Sequence, residues 1–158
     1  MKLSTRSRYG TRILVELAKN QGKGPVQISA ISQRQQISVK YLEQLMRPLK
    51  KAKLVASVRG PKGGHKLDKN PAHITLGEVV RLLEGQSDLV RCVNSPEECA
   101  MADNCRVRSV WQEATQALYE SLDSTTIADL VDITCPDEDD TAKVDIKPKQ
   151  KKSPKAPG

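Results

Sequence analysis

The 158-residue sequence has no phenylalanine, one tryptophan and three tyrosines. A buried core must therefore be assembled from Leu, Val, Ile and Ala. No apolar run approaches the roughly 18 residues that a membrane span requires. The opening residues, MKLSTRSRYGTR, are basic but lack the apolar stretch of a secretory signal. The expectation is a cytoplasmic protein with reduced thiols and no membrane partner. His65 and His73 are the only histidines. No base–nucleophile pair stands out, and the glycine-rich Gly60–Gly64 lacks the spacing of a phosphate-binding loop. The chain does not read as an enzyme.

Positive charge is abundant but unevenly placed. Residues 1–84 hold 17 Lys and Arg against 5 Asp and Glu, whereas residues 85–135 hold 3 against 9. A localised positive field points to a polyanionic partner for the first half, while the acidic middle does not.

Apolar periodicity divides that first half. Residues 4–20 form a helix with Tyr9, Ile13, Leu14, Leu17 and Ala18 on one face and Ser4 as its cap. Arg6, Arg8 and Arg12 fall on other faces, available to phosphates. A loop at residues 20–25 precedes a short helix over Val26–Gln35 with Ile28 and Ile31 inward. After a turn at Gln36 and Ile37, Ser38 caps a second helix. Leu42, Leu45, Met46 and Leu49 give that helix a buried stripe. Two short helices joined by a tight turn form a helix-turn-helix, whose second helix enters the major groove.

The outer face of the second helix carries Lys40, Tyr41, Glu43, Gln44 and Arg47, side chains suited to base edges and phosphates. Pro48 predicts a kink or an early end. Leu54–Arg59 and His65–Asp68 read as two strands around a turn at residues 60–64. That hairpin is a wing, with Arg59 and Lys62 at its tip. A capping box, Thr75 with Glu78, then opens a helix running to about Glu84, flanked by Ile74 and Val79 as a hydrophobic staple.

Three of the four cysteines lie in CVNSPEECAMADNC, at Cys92, Cys99 and Cys105. Thiolates are soft ligands that favour zinc or iron–sulfur clusters. The spacing is neither a zinc-ribbon pair nor a ferredoxin run, so a metal site and free thiols stay open on spacing alone. After the loop, Val107, Val110, Trp111, Ala114, Ala117, Leu118 and Leu122 repeat with helical spacing. Such a helix packs on its own domain or pairs with its twin. A short last helix covers Thr126–Val131. From Pro136 the composition turns to charge, Lys and Pro, which reads as a disordered tail.

The segments MKLSTRSRYGTR, ISVKYLEQLMRPLKKAKLVASVRGPKGGHKL and ITLGEVVRLLEG, followed by the three-cysteine loop, resemble the IscR-type iron–sulfur winged-helix transcription regulators of bacteria. The likeness covers about residues 1–133. It implies a mostly α fold: a winged helix-turn-helix over residues 1–84, a cysteine loop at 85–105, a dimerisation helix and short last helix at 106–133, and a tail at 134–158. It implies a homodimer gripping a palindromic site on double-stranded DNA. Ser38, Tyr41, Glu43 and Gln44 match groove contacts, with Lys40 beside them, and Arg59 and Gly60 match the wing contact.

Cys92, Cys99 and Cys105 match the ligands of a [2Fe–2S] or [4Fe–4S] cluster. The chain departs from the family at the fourth ligand. Arg108 stands where the best-known member has histidine, and Arg8 and Arg12 stand where some relatives place an acidic or histidine ligand. Cys135, Glu98, Asp103 and an exogenous thiol or water are the alternatives. Besides cluster sensing, the residues allow a winged-helix regulator that senses thiol oxidation or a metabolite.

Overall fold

The structure, a computed structural model, describes residues 3–85 and 89–132. The tail assigned to 134–158 and Cys135 lie outside the described residues. Helix α1, Thr5–Lys19, starts at Ser4, whose hydroxyl accepts from the Arg6 N–H at 3.0 Å. Its inner face is Ile13, Leu14, Leu17 and Ala18, with Tyr9 half-buried at the edge. Helices α2 (Ile28–Gln35) and α3 (Val39–Lys51) pack against it. They are joined through Gln36, which takes a left-handed conformation (φ 54°), and the buried Ile37.

The sequence reading of this stretch changes in two places. Helix α2 starts at Ile28, because Val26 pairs with His65 instead, each N–H donating to the other's carbonyl at 2.8 Å. Pro48 does not end α3 early: the helix continues to Lys51. Leu42, Leu45, Met46 and Leu49 are at most 3 % exposed. At about 1.5–3 kcal/mol per large buried apolar side chain, that stripe outweighs the backbone bond the proline removes.

Strands β1 (Val55–Val58) and β2 (Gly64–Leu67) form an antiparallel hairpin in which Val58 pairs with Gly64 and Val55 with Leu67. Val26 continues the pairing on the far side of β2. A Cβ at residue 64 would lie 2.4 Å from the Val26 carbonyl oxygen, so the close approach requires glycine.

Helix α4, Leu76–Glu84, lies across α1. The contact is close enough that a Cβ on Gly10 would sit 2.1 Å from Leu83 Cδ1. At the end of α4, Glu84 Oε1 accepts from the Ser4 N–H (2.9 Å), the Ser4 hydroxyl (2.7 Å) and the Ser7 hydroxyl (2.5 Å). Burial pushes this carboxyl up, but the Ser7 and Ser4 hydrogen bonds outweigh it and hold Glu84 below the usual range. The start of α4 has half of the expected capping box: Thr75 Oγ1 accepts from the Glu78 N–H at 3.0 Å, while Lys69 Nζ engages the Glu78 carboxylate.

Helix α5 (Arg91–Asn94) and 3-10 turns at Pro96–Glu98 and Ala102–Asn104 make up the cysteine loop. Helix α6, Arg106–Asp123, packs along α4. Arg81 forks onto Asp123 at 2.9 and 2.6 Å, Thr75 Oγ1 donates to the same carboxylate at 3.0 Å, and the Arg81 guanidinium stacks 4.3 Å from the Tyr119 ring centroid. The Arg81 hydrogen bond is the main cause that holds the Asp123 carboxyl below its usual range.

Helix α7, Ile127–Asp132, folds back onto α1. Its capping box is complete, with Asp129 accepting from the Thr126 N–H and Thr126 Oγ1 accepting from the Asp129 N–H. Ile127, fully buried, belongs to the same core as α1. No helix among the described residues is long and apolar enough to cross a membrane.

Two outcomes follow from these contacts. A Cβ on Gly77 would lie 2.0 Å from Asp123 Oδ1. Gly77→Ala should lower the urea midpoint, although alanine gains about 1 kcal/mol in helix propensity. In an Asp123→Ala background the same change should raise it. Glu84 and Asp123 both have depressed folded-state values, so their stabilisation is present above the ordinary carboxylate range. It should be lost as pH falls from about 5 toward 2, and Glu84→Gln should flatten that loss in thermal melts.

Candidate nucleic-acid interface and cysteine loop

Burying Leu42, Leu45, Met46 and Leu49 leaves the opposite face of α3 outward. Lys40, Glu43, Gln44 and Arg47 are all exposed on it. Ser38 is exposed at its start, and its hydroxyl accepts from the Tyr41 N–H at 3.3 Å. The structure thus gathers the expected groove residues at one helix end.

Tyr41 differs from its neighbours. It is half-buried, its ring meets the Tyr9 ring edge-on (centroids 6.1 Å apart, planes at 86°), and its hydroxyl is hydrogen-bonded to Thr5 Oγ1 at 3.1 Å. Its first role is to lock the reading helix to the start of α1. Sequence reasoning took Tyr9 as a core residue and passed over Thr5, since no local pattern ties them to residue 41. Arg6 also lines a cleft of about 360 Å³ with Tyr41, Gln44 and Arg47, which places a cation directly beside the reading face. On the α2 side, Arg12 Nε donates to Gln35 Oε1 at 2.7 Å. Glu16, buried in α1, pairs with Arg34 and holds α2 in place.

The wing tip carries Arg59, Gly60, Pro61 and Lys62, all exposed. Gly60 has φ 117°, a conformation side chains rarely adopt, and its carbonyl accepts from the Gly63 N–H at 2.9 Å. Arg59 is therefore presented on a turn with a defined shape. Within the wing, one pair below the turn, burial first and Lys50 second push His65 below its ordinary value. His65 Nδ1 lies 3.3 Å from Ser57 Oγ, inside the hairpin and not beside a cysteine.

The cysteines are spread over three short turns. Cys92 lies in α5, Cys99 follows the Pro96–Glu98 turn, and Cys105 caps α6; all three are free and half-buried. Arg108 Nε donates to the Cys92 carbonyl at 2.8 Å and ties α5 to the first turn of α6. Among the described residues no three His, Cys, Asp or Glu side chains are placed to hold one metal ion. The donors common to all three turns are thiols, the soft ligands that suit zinc or an iron–sulfur cluster.

A helix-turn-helix with an outward polar face, a hairpin wing ending in arginine and a cationic flank define the winged-helix DNA-binding proteins. The match is close at the level of family. The profile of the Rrf2 family, described as an iron-dependent transcriptional regulator, matches residues 3–133, and the chain belongs to that family. Protein rrf2 of Nitratidesulfovibrio vulgaris is 44 % identical over 131 residues, covering 83 % of this chain and 87 % of that one. The structure of CymR, the global cysteine regulator of B. subtilis, aligns with a TM-score of 0.71 at 42 % identity, over 85 % of this chain and 98 % of that one. IscR of T. potens aligns with a TM-score of 0.67 at 37 % identity, over 83 % and 86 %. The chain is thus an Rrf2-family transcriptional regulator, a DNA-binding protein with the mostly helical fold expected from its sequence.

Arg59→Ala should weaken DNA binding in a mobility-shift titration. The wild-type affinity should fall with salt by a slope of about −0.9 per phosphate neutralised. Gln44→Ala should relax base preference while leaving affinity for random DNA nearly unchanged.

Proposed function

We propose that the chain is a homodimeric regulator that reads a palindromic promoter site and takes its input through Cys92, Cys99 and Cys105. The outward face of α3 beside the Arg59–Lys62 wing is the observation that carries the DNA reading. Ser38, Lys40, Glu43 and Gln44 are the groove contacts, Tyr41 sets the angle of the helix, and Arg59 and Gly60 form the wing contact. A two-fold dimer presents two α3 helices to half-sites one helical turn apart, roughly 34 Å. Val107, Val110 and Trp111 on α6 are 61, 59 and 40 % exposed, an apolar stripe that supports α6 as the seam. The role is regulation and not catalysis.

The input is an iron–sulfur cluster on the three thiolates. Its support is the soft donor set, the family's iron dependence and the position of the loop, between the reading domain and α6. Among the described residues no three donors are grouped about a single metal ion. A second reading is favoured by the same geometry and by the likeness to CymR: three half-buried free thiols sense oxidation or a metabolite directly.

Anaerobic purification with iron and sulfide counts and a visible spectrum separates the two. The cluster reading expects a brown protein with sulfide-to-iron charge-transfer absorption, lost in Cys92→Ser while the dimer persists. A colourless, metal-free protein whose DNA affinity responds to a mild thiol oxidant supports the second reading. Normal regulation by Cys92→Ser overturns both.

A further inference from the structure

Helix α3 buries Leu42, Leu45, Met46 and Leu49 and leaves one large apolar side chain open: Val39, 39 % exposed in its first turn. Val39 belongs neither to the core nor to the half-buried apolar residues packed against it. At about 100° per residue it lies about 60° from the buried Leu42 and about 40° from the exposed Glu43. It therefore stands at the border of the outward face, beside Lys40 and Glu43. Capping does not account for it, because the Ser38 hydroxyl already accepts from the Tyr41 N–H. Nor does helix propensity, in which valine is a middling residue.

Its position suits one task. Helical side chains lean toward the N-terminus, so Val39 projects toward the end of α3 that enters the major groove. A β-branched side chain in a helix is held to one main rotamer, which presents both methyls in a fixed place. In the major groove guanine, cytosine and adenine show only hydrogen-bond donors and acceptors, whereas thymine adds its C5-methyl group. Methyl against methyl removes apolar area from water on both sides. The same valine pressed on a polar base edge strips that edge of water and offers no hydrogen bond in return. Lys40, Glu43 and Gln44 can supply polar contacts; none of them supplies this one.

We infer that Val39 is a specificity-determining residue of the reading helix and selects a thymine in each half-site by contact with its C5-methyl group. The inference deepens the reading of α3 as the groove helix and rests on it.

The test starts with the full chain and a random duplex pool, from which bound sites are selected. In a selected site each thymine is replaced in turn by deoxyuridine, symmetrically in both half-sites. Deoxyuridine pairs as thymine does and lacks only the C5-methyl. At one thymine position the replacement should weaken wild-type binding roughly fourfold for each methyl lost, about sixteenfold for the symmetric pair. Val39→Ala should bind the thymine and deoxyuridine duplexes equally at that position and keep wild-type affinity for random DNA. Val39→Thr, with a hydroxyl in place of one methyl, should show a smaller penalty than wild type. Selection of no preferred sequence fails the α3 reading, and the inference with it. A defined site whose preference relaxes in Gln44→Ala keeps that reading. The inference is then overturned if the half-sites hold no fixed thymine or if no thymine responds to loss of its methyl. It is overturned equally if wild type, Val39→Thr and Val39→Ala all lose the same factor.

Discussion

The approach of α1 to α4 at Gly10 and Leu83 is the contact on which the rest of the molecule depends. A Cβ at Gly10 would overlap Leu83 Cδ1, so glycine alone lets the two helices meet at this distance. Helix α1 also carries α2, α3 and α7 on its other sides. Glu84, gathering three donors from Ser4 and Ser7, sets where along α1 the end of α4 stops. Thr75, Arg81 and Asp123 then carry the position of α4 on to α6. A displacement at the first contact reaches both α3 and α6, because each is referenced to α1 or α4.

The reading face is a consequence of sidedness. Helix α3 buries one stripe almost completely, so its polar residues have no choice of direction. Its position on α1 is braced by Tyr41, which meets Tyr9 and Thr5. The wing is held along the free edge of β2 by the Val26–His65 pair and shaped at its tip by Gly60. Reader and wing therefore move with α1 as one body, which suits a protein that must hold two recognition elements in register with a duplex.

The cysteine loop is built differently. Its helical turns are short, its thiols are half-buried, and Arg108 joins its first turn to α6 through the Cys92 carbonyl. Among its described residues only Ala102 is a buried apolar side chain, so its conformation is cheap to change. An element of that kind, beside the exposed apolar residues of α6, suits the input role proposed for it.

Much of this was legible in the residues themselves. The stripes of α1 and α3, the Ser38 and Thr75 caps, the hairpin around Gly60 and the long apolar repeat of α6 are local patterns, and local patterns survive folding. Tertiary packing decided the rest. It carried α3 past Pro48, took Val26 out of α2 to pair with β2, and turned Glu78 toward Lys69. It joined Tyr9 to Tyr41 and Arg81 to Asp123 across intervals of 32 and 42 residues. The sequence alone determined the class of fold and which residues α3 turns outward, because periodicity and capping act within a few residues. Only the tertiary structure decided that Tyr41 braces α3 against α1 and that Arg108 ties the loop to α6, because those depend on contacts between segments that no local pattern records.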